Sequence, residues 1–158
     1  MMFAFLLFLH VASFSVWLGA SLTFMVWGPA VRNASVEVWA HSWMTLSRLQ
    51  RSFVAPACLV ATLSGIMLTL QLVQMHFDMT SAMWLMAMQV LGLASALLTL
   101  AIATPLAGRM GTLAARSLEK GARDPLAESV RRKLALVGSI AGVLLILSIY
   151  FGEMKPVL

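Results

Sequence analysis

The sequence predicts an all-α integral membrane protein, an antiparallel bundle of four transmembrane helices. Three observations point there. Apolar stretches cover residues 3–28, 50–73, 83–107 and 133–151, each near or above the roughly 20 residues needed to cross a hydrocarbon core. Hydrophobic residues make up 61% of the 158-residue chain and charged residues 11%, against about 25% charged in soluble domains. The basic residues collect in alternate connections. Four spans use most of the length, so residues 1–158 form a single membrane domain.

The charge pattern sets the expected orientation. Arg32, Arg48 and Arg51 lie in or beside the first connection. Arg109, Arg116, Lys120, Arg123, Arg131, Arg132 and Lys133 lie in or beside the third, and only Lys155 belongs to the other side. The positive-inside rule then puts connections one and three in the cytoplasm and both termini outside, as in a multi-pass protein of a bacterial-type inner membrane. Orientation accounts for these charges, so they imply no nucleic-acid partner. The lipid bilayer is the expected neighbour, with anionic headgroups against the basic loops.

Helix one is read as a retained span, because no Lys or Arg precedes its apolar run and the run is long for a signal peptide. The first connection, residues 29–49, is helix-compatible and carries Trp39 and Trp43 at four-residue spacing. It reads as an interfacial helix or a cytoplasmic extension of helix two. The second connection is the short "QMHFDMTSA". In the third, Gly121 and Pro125 break the helix, and Asp124 before Pro125 is placed to cap the start of helix four.

Small and polar residues recur at helical spacing within the spans. The stripes are His10, Ser13, Trp17, Ser21, Phe24 and Gly28 in helix one, and Arg51, Ala55, Cys58, Thr62, Gly65 and Thr69 in helix two. Helix three has Gln89, Gly92, Ala96, Thr99 and Ala103, and helix four has Gly138 and Gly142. Such stripes face other helices, since small residues permit close approach and polar ones need partners. The Gly138–Gly142 pair also makes helix four a candidate contact face for a homo-oligomer. Cys58, the single cysteine, reads as a packing residue and excludes an internal disulfide.

Depth picks out one candidate site. At about 1.5 Å per residue, His10 lies roughly 10 Å below the outer surface, Gln89 roughly 9 Å and Thr69 about 6 Å. Ser148 and Tyr150 belong to the same outer layer. An intramembrane ionisable residue is a functional hypothesis by default. Three roles are open to His10: a neutral interhelical tether to Gln89 or a backbone carbonyl, an axial ligand of haem iron, or a copper or proton-relay group. No other histidine lies in a span, so a bis-His haem within one chain is not expected.

The outer rim offers Met75, His76, Asp78 and Met79, with Glu153, Met154, Met1 and Met2 nearby. Thioether and imidazole donors suit copper, Cu(I) especially. At the cytoplasmic surface Arg51 and Arg109 either snorkel to lipid phosphates or grip a propionate or phosphate of a cofactor. The spans contain no Asp or Glu, against an ordinary proton-coupled transporter. Pro56 lies near the start of span two and no other span has a proline far from its ends, so broken-helix transporter sites are not expected. No Ser-His-Asp set, HExxH motif or phosphate-binding loop is present.

Residues 9–110 resemble the CopD and HemJ-like integral membrane proteins. "LHVASFSVWLGASLTFMVWGPAV" resembles their first helix, with a His, Trp-x-Gly and a closing proline. "RLQRSFVAPACLVATLSGIMLTL" is similar to their second, with Arg51, Pro56 and Gly65 at matching places, and "WLMAMQVLGLASALLTLAIATPLAGRM" to their third. The resemblance implies copper handling or haem b binding, with His10 matching the helix-one histidine of the HemJ type. Protoporphyrinogen oxidases of that type carry a helix-three lysine where this chain has Met88 and Gln89. The expected function is therefore haem b or copper handling around His10, with Gln89, Arg51 and Tyr150 as further cofactor contacts and Met75, His76 and Met79 as further metal donors. A non-catalytic accessory subunit of a larger membrane complex, respiratory for example, is the alternative, and oxidase activity comes third.

Overall fold

The computed structural model describes residues 1–75 and 82–154. Among these the chain is helical and contains no strand. Four helices are long and apolar enough to cross a membrane: α1 (Met2–Ala30), α2 (Val36–Gln74), α3 (Met83–Lys120) and α4 (Pro125–Met154). Their outer surfaces carry exposed Phe5, Phe8, Leu63, Leu70, Val90 and Leu97, the surface expected of helices whose solvent is lipid.

Local chemistry sets the helix ends. Ser35 caps α2 by accepting from the Val38 N–H at 3.4 Å. Gly121 closes α3 in the left-handed region at φ 65°, where a side chain would be strained. Asp124 accepts from the Leu126 N–H at 2.9 Å, and Pro125 opens α4 where no intrahelical N–H is needed. The expected breaks at Gly121 and Pro125 are therefore where the chain turns.

α2 and α3 continue well beyond their apolar stretches. In the extensions α2 buries Trp39, Ala40, Trp43 and Leu46, while α3 buries Met110, Leu113 and Ala114. These faces pack with Val31, Ala127 and Val130 into one cluster. The connection at residues 29–49 is thus mostly an extension of α2. Arg123 fastens it: its guanidinium donates to the carbonyls of Arg32 and Ala34 and lies 5.3 Å from the Trp39 ring centroid. A second cluster, within the apolar zone, joins Trp17, Val54, Cys58, Ala61, Ala96 and Leu145.

Prolines do not stay at helix ends as the sequence reading expects. Pro56 and Pro105 lie inside the continuous α2 and α3. A proline supplies no N–H to the preceding turn and its ring crowds that turn's carbonyl. In both helices the turn before it widens into a π-segment, Gln50–Val54 in α2 and Leu98–Ala103 in α3. The widening turns the helix face. Gln50 is buried and its neighbour Arg51 exposed, so the inward stripe of α2 begins at Gln50. Gln50 Nε2 donates to Thr104 Oγ1 at 3.1 Å, and Thr104 Oγ1 donates to the Thr99 carbonyl at 2.9 Å. The two widened turns are thereby tied together.

α2 and α3 approach closely at Gly111, where an added Cβ would lie 2.6 Å from Ser47 Oγ and 2.7 Å from Ser47 Cβ. Gly111→Ala should therefore lower unfolding stability in detergent by about 1–3 kcal/mol. Adding Ser47→Gly should recover most of that loss. A Gly111→Ala variant as stable as the parent would contradict this packing.

Candidate functional site

His10 sits on the inward stripe of α1, half-buried, against a gap in α2 made by Gly65. A Cβ at Gly65 would lie 3.0 Å from His10 Cε1 and 3.2 Å from Nδ1, so the absent side chain is what lets the ring lie on α2. His10 Nδ1 is 2.7 Å from the Ala61 carbonyl oxygen. A carbonyl only accepts, so Nδ1 carries the proton, and the neutral form of the ring then has its lone pair at Nε2. Nε2 has no hydrogen bond among the described residues. Phe14 flanks the ring, centroids 6.2 Å apart.

The polar layer expected around His10 is partly assembled. Gln89 Nε2 donates to Thr69 Oγ1 at 2.8 Å, and Thr69 Oγ1 donates to the Gly65 carbonyl at 3.0 Å. Gln89 thus joins α3 to α2 one turn from His10 without bonding to it. Ser148 faces inward and donates to the Met88 carbonyl at 3.0 Å, holding α4 to α3. Tyr150 points away: it is 51% exposed and packs edge-on against Phe151.

Other sequence candidates lie apart from this layer. Arg51 and Arg109 are exposed toward the basic end. Met75 is exposed just past α2. His76 and Met79 lie outside the described residues, so the rim set with Met75 has no geometry here. Among the described residues no three of His, Cys, Asp and Glu gather as they would around a metal ion.

The basic end holds a feature absent from the sequence reading, a cavity of about 230 Å³ between the helices. Gln50 and Thr99, one from each widened turn, line it, with Gly28, Trp43, Arg131 and Gly138. Trp43 is 7% exposed and its indole N–H has no acceptor among the described residues. Arg131 is occupied: Nε and Nη2 each donate to Glu128 at 2.8 Å, while Arg132 donates to the same carboxylate at 2.9 Å. Those hydrogen bonds, Arg131's first, hold the Glu128 carboxyl down at about 2. The nearest sequence signal for the cavity is the pair Pro56 and Pro105, each shortly after a polar residue, Gln50 and Thr99.

No family model, curated protein or solved structure matches this chain.

The Gln89–Thr69 bond should be measurable by a double-mutant cycle with Gln89→Leu and Thr69→Val. Interhelical hydrogen bonds in membranes average about 0.6 kcal/mol and reach about 1.7, and a coupling in that range is expected. Zero coupling would contradict the bond.

Proposed function

We propose that this chain is a CopD/HemJ-like integral membrane protein that holds haem b through His10. In this reading the four spans are antiparallel, both termini lie on the non-cytoplasmic side of a bacterial-type inner membrane, and His10 sits in the outer half. The observation that carries it is the His10 Nδ1 contact with the Ala61 carbonyl at 2.7 Å. Metal-ligating histidines typically donate their other ring N–H to a carbonyl or carboxylate, which fixes the tautomer and raises ligand basicity.

The donor set favours haem over copper. A haem brings four nitrogens of its own and asks the protein for axial ligation alone. A copper ion needs several protein donors in suitable geometry, and no group of three His, Cys, Asp or Glu forms around His10 among the described residues. When bound, the haem would supply a redox-active iron. The chain's own part is to hold Nε2 out from α1, fix the ring on Gly65, and keep α3 in register through Gln89 and Thr69. Arg51 is ten residues from Ala61 along α2, about 15 Å at 1.5 Å per residue, and takes no part. Gln89 is a neutral amide already bonded to Thr69, so it does not stand in for a cationic lysine, and porphyrinogen oxidation is not proposed.

A second reading, a subunit packed against a larger membrane complex, draws on α1. Only 6% of its apolar window is buried, against 28% for α2, so much of its surface is free to meet another helix.

The test is a reduced-minus-oxidised visible spectrum with metal analysis on protein purified in mild detergent. A b-type signal should be present, lost in His10→Ala and kept in Arg51→Ala. Gly65→Val, which pushes the ring off the Ala61 carbonyl, should weaken haem binding about 10- to 100-fold, as loss of such a partner usually does. Haem retained in His10→Ala would remove His10 as the ligand. Stoichiometric copper without haem would turn the reading to copper, and fixed-ratio co-purification with other subunits and no haem would favour the accessory role.

A further inference from the structure

The cavity at the basic end has the makings of a second binding site, independent of His10. Its position is defined by the two widened turns, because Gln50 and Val54 from α2 and Thr99 and Ala103 from α3 all line it. Widened turns of this kind are frequent at functional sites. Trp43 also lines it, with its indole N–H closed off by its neighbours and without an acceptor among the described residues. Ser139 lines the same cavity, and its hydroxyl has no partner among the described residues. Gln50 spends its amide N–H on Thr104, and its carbonyl oxygen remains as an acceptor.

The chemistry around these groups narrows the ligand. The remaining wall is largely apolar, with Phe24, Met25, Leu46 and Leu134. Arg131, the one cation lining it, already has its fork on Glu128. A desolvated anion would find no free countercharge, and burying one unpaired is costly. A neutral head with carbonyl or hydroxyl oxygens fits. At about 230 Å³ the cavity is below the roughly 300–1,000 Å³ of sites that enclose a whole drug-sized ligand. It admits one small ring, and any tail must leave it. Both α1 and α4 contribute to its wall. At Gly142 the helices touch, with Met25 Sδ 3.4 Å from where a Cβ would be. One turn on, at Gly138, a Cβ would meet nothing within 4 Å.

We propose that this cavity binds the head of a neutral, carbonyl-bearing membrane lipid, a quinone or its quinol, with the tail passing between α1 and α4 at Gly138. The Ser139 hydroxyl donates to a ring oxygen, and the Gln50 carbonyl accepts from the quinol form.

The experiment is native mass spectrometry of the full chain in detergent, titrated with decylubiquinone and, separately, with phosphatidylglycerol. One decylubiquinone per chain is expected. Gly138→Leu, which fills the exit, should abolish the adduct. Gly19→Leu, equally open at its Cβ but away from the cavity, should leave it intact. Ser139→Ala removes the donor and should weaken binding about fivefold to tenfold, the worth of one hydrogen bond. If Gly138→Leu melts early, Ser139→Ala decides alone. No adduct, or adducts unchanged in Gly138→Leu and Ser139→Ala, overturns the proposal. So does displacement of decylubiquinone by phosphatidylglycerol, which would make the occupant a phospholipid.

Discussion

Hydrocarbon solvates no polar group, and the rest of the structure follows from that constraint. Most hydroxyls in the apolar zone answer it within their own helix. Ser21 donates to the Trp17 carbonyl, Thr62 to Cys58 and Thr69 to Gly65, each four residues back. Few polar contacts remain to cross between helices, and those locate the helices relative to one another. Ser95 reaches the Ala141 carbonyl at 2.8 Å, Ser148 reaches Met88, Gln89 reaches Thr69, and His10 reaches Ala61. His10 differs from the others in kind. One ring nitrogen satisfies the constraint and, in the neutral ring, the other is left as a lone pair, the arrangement a metal centre needs and a simple tether does not.

The basic end meets the same constraint differently. Two prolines remove donors from two neighbouring helices, and the widened turns that result face each other across one space. Gln50 and Thr104 close the gap between those turns. The cavity beside them is therefore a consequence of backbone geometry, in a region where α2 and α3 are otherwise packed closely enough to require Gly111. Close packing on one side and open space on the other keep the cavity walls on rigid elements, as a binding site needs.

Much of this was legible in the sequence, for identifiable reasons. Apolar length fixes the four helices, and depth arithmetic brings His10, Thr69 and Gln89 to one level. Depth carries no azimuth, and by depth alone Tyr150 belongs with Ser148. Two residues along a helix of about 3.6 per turn is more than half a revolution, so an inward Ser148 sends Tyr150 outward. A regular helix would put Arg51 on the inward stripe, and the widened turn puts Gln50 there instead. The cavity depends on both prolines acting inside continuous helices and on the spacing of α1 and α4, and neither can be counted off a sequence. Gly65 was visible as a small stripe residue, but its pairing with His10 needed coordinates.

The protonation of the His10 ring tests the central claim most directly. Nitrogen-15 NMR of histidine-labelled ligand-free protein in bilayers resolves protonated from bare ring nitrogens, and His10→Gln assigns the signal among the three histidines of the chain. A proton on Nδ1 is what the Ala61 contact requires, and a bare Nε2 is what a ligand position requires. A proton on Nε2, with Nδ1 bare, would mean that the carbonyl does not hold the ring and that no ligand position is prepared.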